Sequence, residues 1–258
     1  MPDLKPIPGK FVWFEHFSNE PRKAQAFYGE VMGWKVASFP MGPSTYDMIL
    51  RGDNLETMIG GYATPKPGQR SHWISYVSVQ DVDATAKAAA ANGGRIVEPP
   101  HDIPTVGRTA RIADPQGGEI CPFKSNAGDP PDSPDAPPGS FCWNELHTSD
   151  PAGALSFYEK VLGFSHRSQQ MGPSQTYHIL SRGGVERGGV FGDGAPGAAN
   201  WLPYVLTSDT DATAGRARRL GATMCVDPAD IPGVGRFAVF TDPAGASIAI
   251  LQPLPRQK

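Results

Sequence analysis

The chain has 258 residues, enough for one large domain or for two of about 130, each near the common domain size. Its 23 basic and 26 acidic residues leave a formal charge of −3 without a basic run, which excludes nucleic acid as an expected partner. We expect a cytoplasmic protein without membrane contact, because Met1 to Lys10 lacks a signal-peptide core, no stretch approaches the roughly 20 apolar residues of a membrane span, and the cysteines lack paired spacing.

A half-buried strand is predicted over residues 11–17, where two sets of side chains alternate between opposite faces. The first set is Phe11, Trp13, Glu15 and Phe17, and the second is Val12, Phe14 and His16. A helix follows between Pro21, which suits a first helical turn, and Gly33, a typical C-terminal stop. Short β-rich runs near 34–39, 46–50 and 57–62 complete a βαβββ unit.

A fainter copy of this unit follows in the chain. Residues 73–79 alternate as a strand, Asp81 is a suitable cap for an Ala-rich helix over 82–91, and Gly93-Gly94 ends that helix. Three short strands fit the remaining residues before the segment KSNAGDPPDSPDAPPGS, which spans 124–140. We interpret this segment as a semi-extended linker between a first domain, 1–123, and a second domain, 141–258.

The second domain repeats the first. FVWFE at 11–15 returns as FCWNE at 141–145, and the Met-Gly-Pro-Ser of 41–44 returns at 171–174. This offset of 130 residues becomes 128 from Trp73 onward, which pairs with Trp201. The repeat predicts four βαβββ modules. One helix per four strands leaves too few crossovers for a doubly wound parallel sheet, so we expect an α+β fold with curved mixed sheets and helices outside.

Two repeated motifs carry a family resemblance. Each first helix contains Phe-Tyr and ends in an apolar-Gly-aromatic triplet, at 27–34 and 157–164, and each domain has a late Asp-Pro-x-Gly turn, at 114–117 and 242–245. In these features the chain resembles the vicinal oxygen chelate superfamily, which includes glyoxalase I, bleomycin-resistance proteins, extradiol dioxygenases and fosfomycin-resistance enzymes. The resemblance covers nearly the whole chain outside the linker, and the Trp-x-Glu start of each half is most similar to the tandem, glyoxalase-like bacterial members.

The resemblance implies where a divalent metal would be bound. The first-strand ligand positions fall at Trp13, Trp143, about Ile74 and about Leu202, and none of these side chains can ligate a metal. The last-strand positions, where the metal enzymes carry Glu, fall at Cys121 and Ala249. We therefore predict no cofactor and no standard metal site. A divalent metal is the alternative, with His72, Glu119 and Cys121 as its one conceivable weak ligand set.

Three residues are candidates for acid/base chemistry. Glu15 and Glu145 lie two residues beyond the expected ligand positions on the same strand face, as a general base or a partner for a polar ligand group. The alternative is a structural Glu that accepts backbone or Tyr hydrogen bonds. His147 shares a face with Glu145, as an acid/base couple, a partial metal site or an ordinary hydrogen-bonded histidine.

Further side chains are candidates for ligand binding, with core packing, ion pairing or exposure as the rival account of each. They comprise Phe11, Trp13, Tyr76, Phe141, Trp143 and Tyr204 for stacking, His72 beside Glu15, and Arg108 and Arg236 for an anionic substrate. Each arginine belongs to a repeated loop that begins at Asp102 or Asp230, so an Asp–Arg ion pair that holds the loop is the other account.

Three functional hypotheses follow. The leading one is a small-organic-molecule binder with aromatic-lined cups and without the family metal, as in bleomycin-resistance members. The second is an enzyme, a lyase, isomerase or dioxygenase, with a displaced metal site or Glu/His acid–base chemistry. The third is a scaffold with vestigial cups, whose melting temperature no small molecule shifts. We expect the halves to pair within the chain as a pseudo-dimer, in a monomer or weak dimer.

Overall fold

The structure is a computed structural model that describes residues 4–41, 44–133, 135–171, 175–192 and 199–255. Most of the repeated Met-Gly-Pro-Ser segment, residues 42–43 and 172–174, lies outside these ranges. Among the described residues, no helix combines the length and the apolar composition that crossing a membrane requires.

The described residues of the first half form eight strands and two helices in the predicted order. They are β1 (Phe11–Phe17), α1 (Pro21–Met32), β2 (Lys35–Met41), β3 (Ser44–Leu50), β4 (Met58–Ala63), β5 (His72–Ser78), α2 (Val82–Ala91), β6 (Arg95–Ile103), β7 (Gly107–Ala113) and β8 (Glu119–Ser125). A 3₁₀ turn, Leu55–Thr57, precedes β4. Because β8 continues to Ser125, two residues of the predicted linker belong to a strand.

The second half repeats this order. Its elements are β9 (Phe141–Thr148), α3 (Pro151–Leu162), β10 (Ser165–Gln170), β11 (Thr176–Arg182), β12 (Val185–Gly192), β13 (Asn200–Leu206), α4 (Thr210–Arg219), β14 (Thr223–Ile231), β15 (Gly235–Thr241) and β16 (Ser247–Pro253).

The strands form two eight-stranded mixed sheets. Their orders are β2-β3-β4-β1-β5-β8-β7-β6 and β10-β11-β12-β9-β13-β16-β15-β14. Within each module the first and last strands are parallel neighbours, as in β1–β4 and β5–β8, and the remaining neighbours are antiparallel. The helices α1 to α4 lie outside these sheets, which confirms the predicted α+β fold of four βαβββ modules.

The helix signals in the sequence act locally, as predicted. Helix α1 begins at Pro21, and Gly33 follows its last turn with φ 72°, a left-handed conformation that glycine adopts without strain. The Gly33 N–H donates to the carbonyl of Gly29 at 3.1 Å. Asp81 caps α2 by accepting from the backbone N–H of Ala84 at 2.9 Å.

Spatial contacts divide the chain into two compact units, each containing one module from each half. Unit 1 comprises 1–12, 74–133 and 143–201, and unit 2 comprises 13–73, 134–142 and 202–258. In unit 1, α2 packs against α3, and in unit 2, α1 packs against α4. The domain boundaries 1–123, 124–140 and 141–258, which were drawn along the chain, stay a prediction.

The core of unit 1 is an apolar cluster beneath α2 and α3. Its members include Val77, Val82, Ala86, Ala89, Ile112, Ile120, Leu146, Phe157, Tyr158, Leu180 and Val190. The cluster takes side chains from one face of each sheet segment, so the residues that alternate with them point away from the helices. We call that other side the helix-free face.

The linker is packed at both ends. Asp129 is buried and accepts from the Ile7 N–H at 2.6 Å and from the Ser78 hydroxyl. Gly139 donates its N–H to Leu206 at 2.8 Å and accepts from the Trp34 indole at 2.8 Å. These bonds tie the segment to each unit more closely than the predicted tether would require.

Candidate functional site

Glu15 lies at the end of a series of hydrogen-bonded side chains that crosses three strands of unit 2. The Trp13 indole N–H donates to the Tyr46 hydroxyl at 3.1 Å, and that hydroxyl donates to Glu15 Oε1 at 2.7 Å. Glu15 is 7% exposed. Tyr46 on β3 reaches Glu15 on β1 across β4, because the register places Gly61 between the two strands. We call this arrangement the first triad.

Unit 1 contains the same arrangement. The Trp143 indole donates to the Tyr177 hydroxyl at 2.8 Å, and Tyr177 is hydrogen-bonded to Glu145, which is 8% exposed. Gly189 on β12 lies between Glu145 on β9 and Ile179 on β11. This second triad shows that the fold builds the Trp–Tyr–Glu chain twice.

Two glycines make room for the tyrosines. A Cβ on Gly61 would overlap the Tyr46 hydroxyl, and a Cβ on Gly189 would overlap the Tyr177 hydroxyl. Their neighbours Gly60 and Gly188 face the backbone carbonyls of Phe14 and Asn144, which a Cβ would also overlap. The first glycine of each Gly-Gly pair therefore permits close strands, and the second permits the triad.

The triads keep a donor aimed at each glutamate. Burial, followed by the negative charge of Glu15, raises the pKa of Tyr46 well above its ordinary value. Burial and Glu145 raise the pKa of Tyr177 in the same way. Both phenols stay protonated across the physiological range, so each serves as a permanent hydrogen-bond donor to its carboxylate.

His147 distinguishes the second triad. Its Nε2 lies 2.9 Å from Glu145 Oε1, and its side chain is 24% exposed. Phe17 occupies the equivalent position in the first half. The predicted Glu145–His147 pair therefore exists as a close contact in unit 1.

Strand alternation assigns both triads to the helix-free face. Leu146 lies in the apolar core beneath the helices, so its neighbours Glu145 and His147 point away from them. In unit 2, His16 meets Tyr28 of α1, with ring centroids 5.5 Å apart, so Glu15 points away from α1. The expectation that Glu15 shares a face with Trp13 agrees with their shared contact to Tyr46.

A second polar network lies on the helix side of unit 2. Asp242 accepts from His16 Nε2 at 2.7 Å and from the Tyr28 hydroxyl at 2.9 Å, and the Trp73 indole donates to that hydroxyl at 3.2 Å. Burial by itself raises the pKa of Asp242. The hydrogen bond and charge of His16, with the Ala246 N–H, outweigh burial and hold the pKa below its ordinary value.

The corresponding network in unit 1 lacks the histidine. Asp114 accepts from the Tyr158 hydroxyl at 2.9 Å, and the Trp201 indole donates to Tyr158 at 3.0 Å. Leu146, fully buried, replaces His16. Here burial outweighs the backbone and Tyr158 hydrogen bonds, and the pKa of Asp114 lies above its ordinary value.

The aromatic candidates lie in different surroundings. Phe11 packs against the core of unit 1, with its ring 5.5 Å from that of Trp201, and Phe141 stacks on Phe14 at 3.8 Å in unit 2. Tyr76 and Tyr204 pair in register with Cys121 and Ala249 on parallel neighbours. Trp13 and Trp143 belong to the triads, in which each is linked to a predicted glutamate through a tyrosine hydroxyl.

The polar candidates outside the triads have partners of their own. The His72 ring stacks on Phe17 at 5.0 Å, and its Nδ1 lies 2.7 Å from the carbonyl of Arg70. Arg108 binds Asp83 in a bidentate pair at 2.7 and 2.9 Å and Asp102 at 2.8 Å. Arg236 repeats this clamp with Asp211 and Asp230. Both arginines make the loop-holding ion pairs that were the alternative to substrate binding.

The residues present do not fit the divalent ion that the resemblance implies. Across the described ranges, no three His, Cys, Asp or Glu side chains gather closely enough to hold a metal ion. Strand β7 pairs antiparallel with β8, with Ile112 opposite Ile120 and Thr109 opposite Phe123. This register places Arg111 on β7 directly opposite Cys121 on β8. A guanidinium there repels a divalent cation.

Sequence reasoning missed three residues. Tyr46 and Tyr177 are 131 residues apart, one more than the offset used for the first modules, and this slip concealed their equivalence. At the offset of 128 residues, the charged Arg111 aligns with the apolar Val239. The repeat alignment therefore already contains this difference in charge between the halves. Comparing the charges of aligned positions would have found it.

The family assignment follows from comparison with known proteins. The model of the Glyoxalase/Bleomycin resistance protein/Dioxygenase superfamily matches residues 10–121 and 143–250. The chain belongs to this superfamily, as the two motifs predicted.

Individual relatives agree with this assignment. A Mycobacterium tuberculosis protein named "Putative glyoxylase CFP32" is 34% identical over 249 residues, covering 95% of both chains. The anthracycline biosynthesis protein DnrV of Streptomyces peucetius is 29% identical over 263 residues, covering 95% of this chain and 94% of its own. The structure of a Mn(II)-bound glyoxalase from Novosphingobium aromaticivorans superposes with a TM-score of 0.68 at 16% identity, covering 97% of this chain and 84% of that one, and shows the shared fold.

Proposed function

We propose that this protein binds a small organic molecule beside its triads, without the standard metal of its superfamily. The repeated Trp–Tyr–Glu chain supports the proposal. Each triad presents a carboxylate that is 7–8% exposed and held by a tyrosine on the helix-free face. A buried carboxylate held in this way can accept a hydrogen bond from a ligand without moving.

The triads also indicate the chemical class of the ligand. A tryptophan at the start of each triad offers a flat face for stacking, and the glutamate accepts from a hydroxyl or an N–H group. A small aromatic molecule with a polar hydrogen-bond donor fits both features. DnrV, named for anthracycline biosynthesis, supports including a polycyclic aromatic among the test compounds.

Binding is tested by thermal shift with phenol, catechol, benzamide and a polycyclic hydroxyquinone. A ligand that binds the folded state at about 100 times its Kd stabilises it by about 2.7 kcal/mol, so a true ligand raises Tm by several degrees. We expect the shift to fall in Glu15→Gln and Glu145→Gln. The absence of any shift would favour the scaffold hypothesis.

Metal content is tested separately by elemental mass spectrometry of tag-free protein purified without chelator. We expect no near-stoichiometric nickel, zinc, iron or manganese. Stoichiometric metal would reject this part of the proposal and redirect attention to His72, Glu119 and His147.

The cytoplasmic location and the monomeric or weakly dimeric state of the protein stay predictions.

The Glu145–His147 contact favours a second candidate function, metal-free proton transfer. With Nε2 and Oε1 2.9 Å apart, the pair can remove a proton from a carbon next to a carbonyl and return it to a neighbouring atom. The test follows deuterium uptake by the hemithioacetal of methylglyoxal and a thiol in D2O, using NMR. Uptake that is lost in Glu145→Gln and His147→Phe but kept in Glu15→Gln would support an enzyme of this kind.

A further inference from the structure

The sheet of the first half contains a polar row whose central residue, Arg111, belongs to no candidate site above. Tyr76 on β5 pairs with Cys121 on β8, Arg111 on β7 lies opposite Cys121, and Glu98 on β6 pairs with Arg111. All four residues belong to unit 1. Ile112 and Ile120, which alternate with Arg111 and Cys121, lie in the core under α2, so the row is on the helix-free face. We call it the Arg111 row.

Arg111 is the unusual member. Its side chain is 6% exposed, which is rare for a charged group because burial removes its hydration. Glu98 lies 3.9 Å away and Glu119 3.7 Å away, and both carboxylates are 29% exposed. Burial lowers the pKa of Arg111, but the charges of Cys121, Glu98 and Glu119 outweigh it and raise the pKa. Arg111 is therefore a permanent buried cation.

The second half shows that the fold does not need this cation. The equivalent row in unit 2 runs through Tyr204, Ala249, Val239 and Val226 in the same register. Val239 replaces Arg111, Ala249 replaces Cys121 and Val226 replaces Glu98. The same strands thus form the same sheet with an apolar row. Since burying a charge is costly, a function is the simplest reason for Arg111.

We propose that Arg111 is an anion-binding residue of the first half and that the ligand recognised there contains a carboxylate. This inference rests on the proposed binding function and adds its chemistry. The planar guanidinium fork matches the two oxygens of a carboxylate, and the partly dehydrated position strengthens that contact. Glu98 and Glu119 sit at ion-pair rather than hydrogen-bond distance and are partly exposed, so an entering carboxylate displaces them toward solvent. The row in unit 2 should not favour an anion.

The test compares benzoate with its uncharged counterpart benzamide, titrated into the full-length protein and followed by calorimetry and by the Arg111 Nε–Hε NMR signal. We expect benzoate to bind at least about tenfold more tightly than benzamide and to shift the Arg111 signal. Arg111→Val, which installs the residue of the second half, should remove this preference. Arg218→Val, on the exposed side of α4, is the matched control and should leave both affinities unchanged.

The outcomes separate this inference from the proposed function. If benzamide or a phenol binds while benzoate has no advantage, or if benzoate binds Arg111→Val as tightly as wild type, the anion site is wrong and the binder stands. If no compound binds at about 10 mM, both are wrong. If Arg111→Val does not fold, the anion site is tested by the preference of the wild-type protein for benzoate over benzamide and by the variant Arg111→Lys. The lysine variant keeps the charge but loses the fork, so it should retain part of the preference, and full retention of benzoate affinity would reject bidentate binding.

Discussion

At the scale of single residues, the triads depend on a glycine as much as on their hydrogen-bonding groups. Glu15 and Glu145 were interpreted either as functional carboxylates or as structural ones that accept from a tyrosine. The tyrosine contact exists in both halves, but it does not separate these accounts, because the same bond that stabilises a buried carboxylate also orients it. Perturbing the tyrosine without changing the glutamate can separate them.

Gly61→Ala provides that perturbation. The new Cβ overlaps the Tyr46 hydroxyl, so the ring must move away from Glu15, at a cost of about 1–3 kcal/mol in unfolding free energy. Urea unfolding measures the cost, and ligand titration measures the effect on binding. In a Tyr46→Ala background, Gly61→Ala should be nearly neutral. An equal cost in both backgrounds would show that the tyrosine is not the cause.

His16→Leu copies the arrangement that unit 1 has at Leu146. In the wild type the folded-state pKa of Asp242 is depressed, so its contribution is complete above the unfolded-state pKa and is lost as pH falls through the folded-state value. Without His16, burial should win and raise the pKa of Asp242, as it does for Asp114. We expect the free energy of unfolding of His16→Leu to be about 1–3 kcal/mol lower than that of the wild type near neutral pH. As the pH falls, the variant should lose less additional stability than the wild type does.

Carboxyl-carbon NMR titration measures the change directly. The pKa of Asp242 should rise in His16→Leu, and the pKa of Asp114, in the other unit, is the internal control that should stay constant. An unchanged Asp242 would mean that His16 does not lower its pKa.

At the scale of elements, the helices differ in how their first turns are capped. Asp81, Asp150 and Asp209 each accept a backbone N–H from the first turn of α2, α3 and α4. Glu20 occupies the same position before α1, with backbone angles close to those of Asp150, but makes no side-chain cap. The Glu20 carboxylate instead pairs with Lys23 at 3.1 Å, and glutamate is not among the preferred capping residues.

Replacing Glu20 by aspartate and Asp150 by glutamate should change the free energy of unfolding in opposite directions. Glu20→Asp should stabilise the protein by about 0.5–1 kcal/mol, and Asp150→Glu should destabilise it by a similar amount. The first change also removes the exposed contact between Lys23 and Glu20, which contributes little. Urea unfolding of both variants is the measurement, and effects of the same sign would contradict the capping account.

At the scale of the whole molecule, the two family motifs are partners of each other. The tyrosine of the first Phe-Tyr helix binds the aspartate of the second Asp-Pro-x-Gly turn, and the tyrosine of the second helix binds that of the first turn. Each network therefore joins residues from different halves of the chain, one network within unit 1 and the other within unit 2.

Separating the halves should remove both networks at once. Fragments 1–133 and 135–258 each lack the partner modules of their units, so neither should reach the stability of the full chain. Mixed in equal amounts, they should form a 1:1 complex with a higher Tm than either fragment alone. Thermal unfolding and analytical ultracentrifugation test this. A fragment that unfolds cooperatively as a monomer at the Tm of the full chain would show an independent half.

The sequence by itself determined the repeat, the βαβββ order and the family. These depend on local signals: alternation sets strand faces, Pro21 and Gly33 bound α1, and the repeat makes each signal visible twice. It also indicated Glu15, Glu145 and His147, because strand period gives the face of a side chain without knowledge of its partner.

Only the tertiary structure decided which residues meet. Tyr46 reaches Glu15 across a third strand, Asp242 meets His16 from a position 226 residues away, and Arg111 faces Cys121 through the pairing of β7 with β8. Register and module pairing arise from the packing of whole faces, in which every side chain contributes at once. No local pattern carries that information, so a buried cation in one half and a valine in the other gain a chemical meaning only in the folded sheet.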